Sequence, residues 1–215
     1  SYNNYNDLFS AFSISNSLPK NRGTVIVKHN NPCGVSINKN KVKSFDLAYK
    51  CDPISAFGGI VSCNFKIDKK IAEELNKYFL EIIVGKGFTK DALNKLKRKK
   101  NLRIIDVAKT KIKEGVNVKS VSDNYLIQTS DRKTLLNKDF VTVSNKKPSK
   151  KIMDDLIFAF NVCRYVKSNA IVLVKDKTTV GIGAGQTSRV DSCEIAINKM
   201  KKINDSKKNS NAVSY

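Results

Sequence analysis

Lys28 and His29 are the two residues of this sequence with the clearest capacity for chemistry. His29 is the single histidine of the chain, and the pair directly follows the apolar run 24–27. An imidazole titrates near neutral pH and suits general base catalysis, while an ammonium can stabilise an oxyanion or bind a substrate anion. Adjacent residues of a strand point to opposite faces of the sheet. A single substrate can therefore contact both Lys28 and His29 only if the strand ends at Val27. We therefore predict a turn over 30–34 that re-aims the pair.

A glycine-rich motif, Gly-Ile-Gly-Ala-Gly at 181–185, precedes the last predicted helix. Glycines allow a backbone to approach a ligand, and a helix N-terminus offers N–H donors to an anion. The spacing matches neither the dinucleotide-binding nor the P-loop pattern, and the alternative is a tight strand-to-helix turn. Arg189 favours anion binding, because a guanidinium pairs well with carboxylate or phosphate.

Three further candidates flank predicted strands: Gly58, Glu81 and Asn169. The side chain of Asn169 can hydrogen-bond a carboxamide in both directions. Ordinary turn and helix-end chemistry is the alternative for these three, as a structural histidine is the alternative for His29. The sequence contains no HExxH, no G-x-S-x-G and no His/Cys cluster, which disfavours metal-dependent and serine hydrolysis.

The composition narrows the class of protein and of partner. The net charge is +21, which suggests nucleic acid, but the excess is nearly all lysine rather than the arginine that base readers prefer. A solvated surface or an anionic small substrate is the favoured interpretation. The five cysteines include no C-x-x-C pair, which favours reduced thiols over disulfides or zinc. No apolar window is long enough for a membrane span and no secretory signal opens the sequence, so we expect a cytoplasmic protein.

The elements that must position these residues follow an alternating order. A short helix with Asp7 near its start comes first, and Asp68, Thr89 and Ser149 have the character of helix N-caps. Strands alternate with helices up to about residue 107, which predicts an α/β sheet. A hairpin-rich connector follows, and then a helix, two strands and a last helix. We predict a first unit with its connector over 1–147 and the start of a second unit over 148–215.

Five blocks in this order resemble one enzyme family: VKHNNPCG, DPISAFGGIV, EIIV, RYVKSNAIVLVKD and VGIGAGQTSRVD. They are similar to the formyltransferase region of the AICAR (phosphoribosylaminoimidazolecarboxamide) formyltransferase/IMP cyclohydrolase family, and the opening SYNNYNDL resembles its bacterial members. The resemblance runs from Ser1 to about Asp191. It implies transfer of a formyl group from 10-formyltetrahydrofolate, as co-substrate, to the 5-amino group of AICAR, giving FAICAR in IMP biosynthesis.

The resemblance also assigns roles to individual residues. In the family a Lys-His pair is catalytic, which makes His29 the base that removes the amine proton and Lys28 the partner of the oxyanion. Asn169 matches a catalytic position that holds the AICAR carboxamide. Four further positions match substrate contacts, on the AICAR side Gly58 and Glu81, and on the folate side Arg189 and Val190. No metal ligands are implied, although a monovalent cation such as potassium can bind the family near 163–170.

The implied fold is a pair of cytidine-deaminase-like α/β lobes without the deaminase zinc, one nearly complete here and the second partial. The implied assembly is an intertwined homodimer whose active sites draw on both subunits, with no nucleic acid or membrane partner. The cyclohydrolase domain, a hydrolase, and several substrate-binding blocks of the family fall outside these residues. We therefore expect little formyl transfer from the chain alone. The alternatives are an inactive fragment and a basic nucleic-acid-binding module.

Overall fold

The computed structural model describes residues 1–112, 115–131 and 133–212, with backbone alone over 204–212. The helices are α1 (Tyr2–Ser17), α2 (Lys41–Cys51), α3 (Pro53–Ala56), α4 (Lys69–Leu75), α5 (Lys90–Leu96), α6 (Lys150–Cys163) and α7 (Arg189–Ala212). The strands are β1 (Gly23–Lys28), β2 (Asn31–Ile37), β3 (Gly59–Cys63), β4 (Leu80–Gly85), β5 (Arg103–Asp106), β6 (Val116–Val121), β7 (Asn124–Thr129), β8 (Ile171–Lys175) and β9 (Thr178–Gly183).

One seven-stranded mixed sheet organises the fold, with strand order β5-β4-β3-β1-β2-β9-β8. The strands β3, β4 and β5 run parallel to one another, while β1, β2, β9 and β8 pair antiparallel with their neighbours. The predicted α/β class, a mixed sheet flanked by helices, is confirmed. The sheet brings β8 and β9, from late in the sequence, against the hairpin that carries Lys28 and His29.

Both faces of the sheet are covered, because side chains alternate between faces along each strand. In β4, Ile83 packs into the core cluster under α2, α4 and α5, while Ile82 and Val84 pack into the cluster under α1 and α6. Phe45 and Phe65 are the largest fully buried side chains of the first cluster. The central strands are therefore held from two sides, which gives the end of β1 a rigid base.

The glycines of the 181–185 motif serve helix packing as well as the turn. A Cβ at Gly183 would lie 1.9 Å from the carbonyl oxygen of Ser192, and one at Gly181 would lie 2.1 Å from that of Ala196. Both carbonyls belong to α7, so this helix rests directly on the backbone of β9. Gly185 has a φ of +67°, which places it alone of the three in the left-handed region. The predicted tight turn is thus only part of the reason for the glycines.

The predicted turn over 30–34 is wrong, because β2 begins at Asn31. The turn consists of His29 and Asn30 alone, with φ of 51° and 60°, between the paired residues Lys28 and Asn31. Positive φ at both central positions is the geometry that two-residue hairpin loops favour. Pairing with β1 overrides the turn character of the Asn-Pro-Cys-Gly sequence, and Pro32 is tolerated because β9 pairs with β2 only at Ser36.

The strands β6 and β7 form a separate two-stranded hairpin, as the sequence predicts. All twelve of its residues are exposed, including the apolar Val118, Tyr125 and Ile127. A lone hairpin of this kind has little stability of its own in water. None of the described helices combines the length and apolarity needed to cross a membrane.

Candidate active site

Lys28 and His29 open onto a cleft of about 470 Å³ at the end of β1. Its walls come from the first hairpin, α3, the end of β9 and α7. The lining residues are Lys28, His29, Asn31, Pro32, Cys33, Asp52, Ile54, Ser55, Phe57, Ile182, Ala184 and Lys199. Two ammonium groups, an imidazole and a carboxylate therefore share one open cavity.

The ammonium of Lys28 is anchored by the segment between α3 and β3. Its Nζ donates a hydrogen bond to the carbonyl oxygen of Phe57 at 2.9 Å. Gly58 follows with a φ of +65°, and a Cβ there would lie 3.0 Å from the Lys28 Nζ. Glycine at this position leaves room for the ammonium, so Gly58 and Lys28 lie next to each other.

His29 is exposed, and a buried acid fixes its backbone. Asp7 of α1 accepts hydrogen bonds from the backbone N–H of His29, at 3.0 Å through Oδ2, and of Asn30, at 2.6 Å through Oδ1. The sequence offered Asp7 only as a helix-start signal and did not connect it with His29. The two groups lie 22 residues apart, and only the packing of α1 on the sheet joins them.

Asn31 connects the turn to the later half of the chain. Its Nδ2 donates to the carbonyl oxygen of His29 at 3.2 Å, and its Oδ1 accepts from the backbone N–H of Lys167 at 3.0 Å. The Lys167 carbonyl in turn accepts from the N–H of Gly185 at 2.7 Å. These three contacts hold the segments before β8 and after β9 against the Lys28-His29 turn.

Asn169 lies in the segment that Asn31 anchors, but it does not line the cleft. Its Nδ2 donates to the carbonyl oxygens of Gln186, at 3.1 Å, and Thr187, at 2.9 Å. Its own carbonyl accepts from the Ser192 hydroxyl at 2.7 Å. The side-chain N–H groups of Asn169 are therefore occupied in holding the loop that leads into α7.

The remaining predicted positions lie outside the walls of the cleft. Glu81 accepts a hydrogen bond from the Nδ2 of Asn4 at 2.8 Å, and it is half-buried beside α1. Arg189 and Val190 are exposed at the start of α7. The structure thus brings together Lys28, His29 and Gly58, and it places Glu81, Asn169, Arg189 and Val190 on neighbouring surfaces.

An ion pair between Asp52 and Lys199 closes the far side of the cleft. The Lys199 Nζ lies 2.8 Å from the Asp52 Oδ2, and the Asp52 side chain is 8% exposed. Burial alone would raise the pKa of Asp52, but hydrogen bonds from Lys199 and Ser55, with the positive charge of Lys199, outweigh it and lower that pKa. Asp52 also caps α3, the element that leads to the carbonyl anchoring Lys28. The Asp-Pro step signalled this cap, whereas nothing in the sequence linked Asp52 with Lys199.

Replacing Lys199 with methionine should lower the free energy of unfolding by about 2 to 3 kcal/mol at pH 7. This loss of stability lies near the bottom of the range for breaking a buried ion pair, because Lys199 keeps some contact with solvent. The folded-state pKa of Asp52 is lowered, so its contribution is full above the unfolded pKa of about 4 and fades as pH falls through the folded value. Urea titrations at pH 7 and pH 3 should show the difference from wild type shrinking in acid.

The matched control for that experiment is Lys50→Met, which removes an exposed ion pair with Asp46 on α2. We expect a change below about 0.5 kcal/mol there, because exposed pairs contribute little. An equal loss at pH 7 and pH 3 for Lys199→Met would show that the ion pair is not the source of the effect.

The cysteines near the cleft are not nucleophiles. Burial raises the pKa of the Cys33 thiol to about 12, and burial likewise raises that of Cys51 to about 12. Both thiols therefore stay protonated at neutral pH, and a protonated thiol is a poor nucleophile. The chemistry available in the cleft is that of an ammonium and an imidazole.

The fold and the site together define a class: an α/β protein with a lysine-histidine pair at a strand end, open to a cationic cleft. The sequence model of a family described as AICARFT/IMPCHase bienzyme matches residues 1–199. The chain belongs to this family.

Curated relatives agree with that assignment. The chain is similar to the bifunctional purine biosynthesis protein PurH of Caldicellulosiruptor saccharolyticus, at 47% identity over 93% of the chain. It is also similar to PurH of Aquifex aeolicus, at 42% over 94%, and of Persephonella marina, at 44% over 95%. The aligned region spans 39% of the length of each of these relatives. The resemblance noted from the five sequence blocks is confirmed.

Proposed function

We propose that this chain carries the formyl-transfer site of an AICAR formyltransferase, acting in purine biosynthesis with 10-formyltetrahydrofolate as co-substrate. The observation that carries the proposal is the placement of Lys28 and His29 side by side on one open cleft, in a chain of this family. The family matches favour this function over both alternatives, an inactive fragment and a nucleic-acid-binding module.

The proposed chemistry assigns one step to each residue of the pair. The amine of AICAR is a weak nucleophile, because its lone pair is delocalised into the imidazole ring and carboxamide. His29 accepts a proton from that nitrogen as it bonds to the formyl carbon, and Lys28 stabilises the oxyanion of the tetrahedral intermediate. The bond from the formyl carbon to the folate nitrogen then breaks, that nitrogen takes a proton, and FAICAR and tetrahydrofolate leave.

The other proposed contacts surround the cleft rather than line it. Asn169 would hold the AICAR carboxamide through its side-chain oxygen, since its N–H groups are occupied in the loop before α7. Its support is the chain of hydrogen bonds that joins its segment to His29 through Asn31. Holding the AICAR amine in line with His29 lowers the activation barrier of the transfer, because the reacting groups are already oriented when the reaction begins. We assign Gly58 and Glu81 to contacts with AICAR. Arg189 and Val190 are assigned to contacts with the folate.

The finer architecture is proposed on two observations. A division into two cytidine-deaminase-like units is proposed near residue 148, because the segment 141–149 between the β6–β7 hairpin and α6 is largely exposed. A homodimer is supported by the hairpin of β6 and β7, because a second copy could cover its exposed apolar side chains.

A cytoplasmic location and a monovalent cation near 163–170 complete the proposal. In that segment the carbonyl oxygens of Cys163, Lys167 and Asn169 already accept hydrogen bonds from within the chain. A cation there would share oxygens that each keep a second lone pair. This is a weak fit, and no step of the proposed reaction depends on it.

The single histidine gives a direct test of the proposed function. In protein labelled with isotopes at histidine, the imidazole signals belong to His29 alone. Titration with AICAR should shift these signals saturably, whereas a short RNA at physiological salt should not. An RNA-induced shift that weakens steeply with salt would instead support the nucleic-acid-binding alternative. Absence of any shift at millimolar AICAR would contradict the proposed site.

A further inference from the structure

Asp7 is a buried carboxylate whose partners are two backbone amides rather than a cation. The Asp7 residue is 7% exposed, and its two oxygens accept from the consecutive N–H groups of His29 and Asn30. Buried charges are rare unless they are compensated. Here the compensation is the backbone of the very turn that presents His29.

That turn is held by a helix as well as by strand pairing. His29 and Asn30 both have positive φ, a conformation that is uncommon outside glycine, although asparagine and histidine adopt it more often than most residues. A second group of α1 also reaches the turn, since the Ser10 hydroxyl lies 3.2 Å from the side-chain amide of Asn30. The helix itself is fixed, because Phe12 and Ile14 are buried in the core beneath it. The turn is thus held against a rigid helix, in addition to the contacts that Asn31 makes with Lys28 and His29.

We propose that Asp7 is a positioning residue for His29, one that fixes the backbone of the turn and thereby the place of the imidazole in the cleft. This inference rests on the proposed formyl-transfer function. An ionised carboxylate offers two acceptor oxygens and can serve both amides at once, whereas a carboxamide offers one. Asp7 acts through hydrogen bonds to the turn backbone, and its own contact with substrate is not required.

The test compares two variants at this position with a control on the same helix. Asp7→Asn keeps the shape and one acceptor, and Asp7→Ala keeps neither. The control is Ser15→Ala, which removes a buried hydroxyl of α1 that lies 2.7 Å from the Ser62 hydroxyl, away from the turn. Two readouts are taken on the whole chain by NMR: solvent exchange of the His29 and Asn30 amides, and the His29 imidazole signals.

Asp7→Asn should speed exchange of at least one of the two amides about tenfold or more and should broaden or shift the imidazole signals. Asp7→Ala should change both amides, and Ser15→Ala should leave all of these signals as in wild type. If Asp7→Ala does not fold, Asp7→Asn alone decides. Unchanged exchange and unchanged imidazole signals in Asp7→Asn, or the same changes in Ser15→Ala, would overturn the proposal.

A second arm separates this inference from the function beneath it. With AICAR at saturation, the shift that it induces in the imidazole signals should be smaller in Asp7→Asn than in wild type. An equal shift in the two proteins would overturn a role for Asp7 in presenting His29 to substrate. If AICAR shifts nothing in wild type, the proposed function fails, while the exchange measurements still decide whether Asp7 fixes the turn.

Discussion

Replacing His29 with asparagine is expected to lower the rate of formyl transfer by about 10²- to 10⁴-fold, the usual loss when a general base is removed. Asparagine tolerates the positive φ of this position, so the turn should persist while the proton acceptor is lost. His29 is exposed, and its removal should leave the melting temperature nearly unchanged. The loss therefore reports on chemistry rather than on folding.

Turnover can be measured in a chimera in which this chain replaces the matched segment of the Caldicellulosiruptor saccharolyticus relative. Lys28→Met in the same chimera keeps the aliphatic stem and removes the charge, and we expect a loss of about 10²- to 10³-fold. The control is Lys20→Met, an exposed lysine before the start of β1 and outside the cleft, which should retain full activity. Full turnover by His29→Asn would eliminate His29 as the base.

Replacing Gly183 with alanine should lower the free energy of unfolding by about 3 to 5 kcal/mol, at or beyond the upper range for an overpacked core. The added Cβ would lie 1.9 Å from the carbonyl oxygen of Ser192 and 2.6 Å from its carbonyl carbon. Both are backbone atoms, so no side-chain rotation relieves the contact and α7 must move off the sheet. Because α7 carries Lys199, its displacement should also break the ion pair with Asp52.

Urea denaturation of Gly183→Ala measures this loss, with Gly115→Ala as the matched control, because a Cβ at Gly115 meets nothing within 4 Å. Gly34→Ala is a second case of the same geometry, since its Cβ would lie 1.9 Å from the carbonyl oxygen of Ala48 in α2. If Gly183→Ala were as stable as Gly115→Ala, the close seating of α7 on β9 would be refuted.

Much of the fold could be predicted because its signals are local. Asp68, Thr89 and Ser149 were expected to begin helices, and each side chain accepts from a backbone N–H three residues further on. Short apolar runs predicted most of the strands for the same reason, since such a run is contained in a short window of sequence. Local turn character misled where a tertiary partner overruled it, as in the Asn31–Gly34 segment that became part of β2.

The candidate site could be predicted only in part. The Lys28-His29 pair was visible because the two residues are adjacent and His29 is the single histidine of the sequence. Their supports were not, because Asp7, Asn31 and Lys199 act through contacts that depend on sheet order and helix seating. A single sequence contains no signal that pairs Asp52 with a lysine so far along the chain.

The position of β2 has a consequence for biosynthesis of the protein. One neighbour of this strand in the sheet, β1, directly precedes it in the sequence. The other neighbour, β9, contacts it through pairs such as Val35 and Thr179, which are 144 residues apart. Contacts at such separation form late, since a long loop must first close. On the ribosome, the early strands emerge long before β9 does. The cleft is therefore among the last features to be completed, and a newly made chain can fold most of its sheet before the cleft exists.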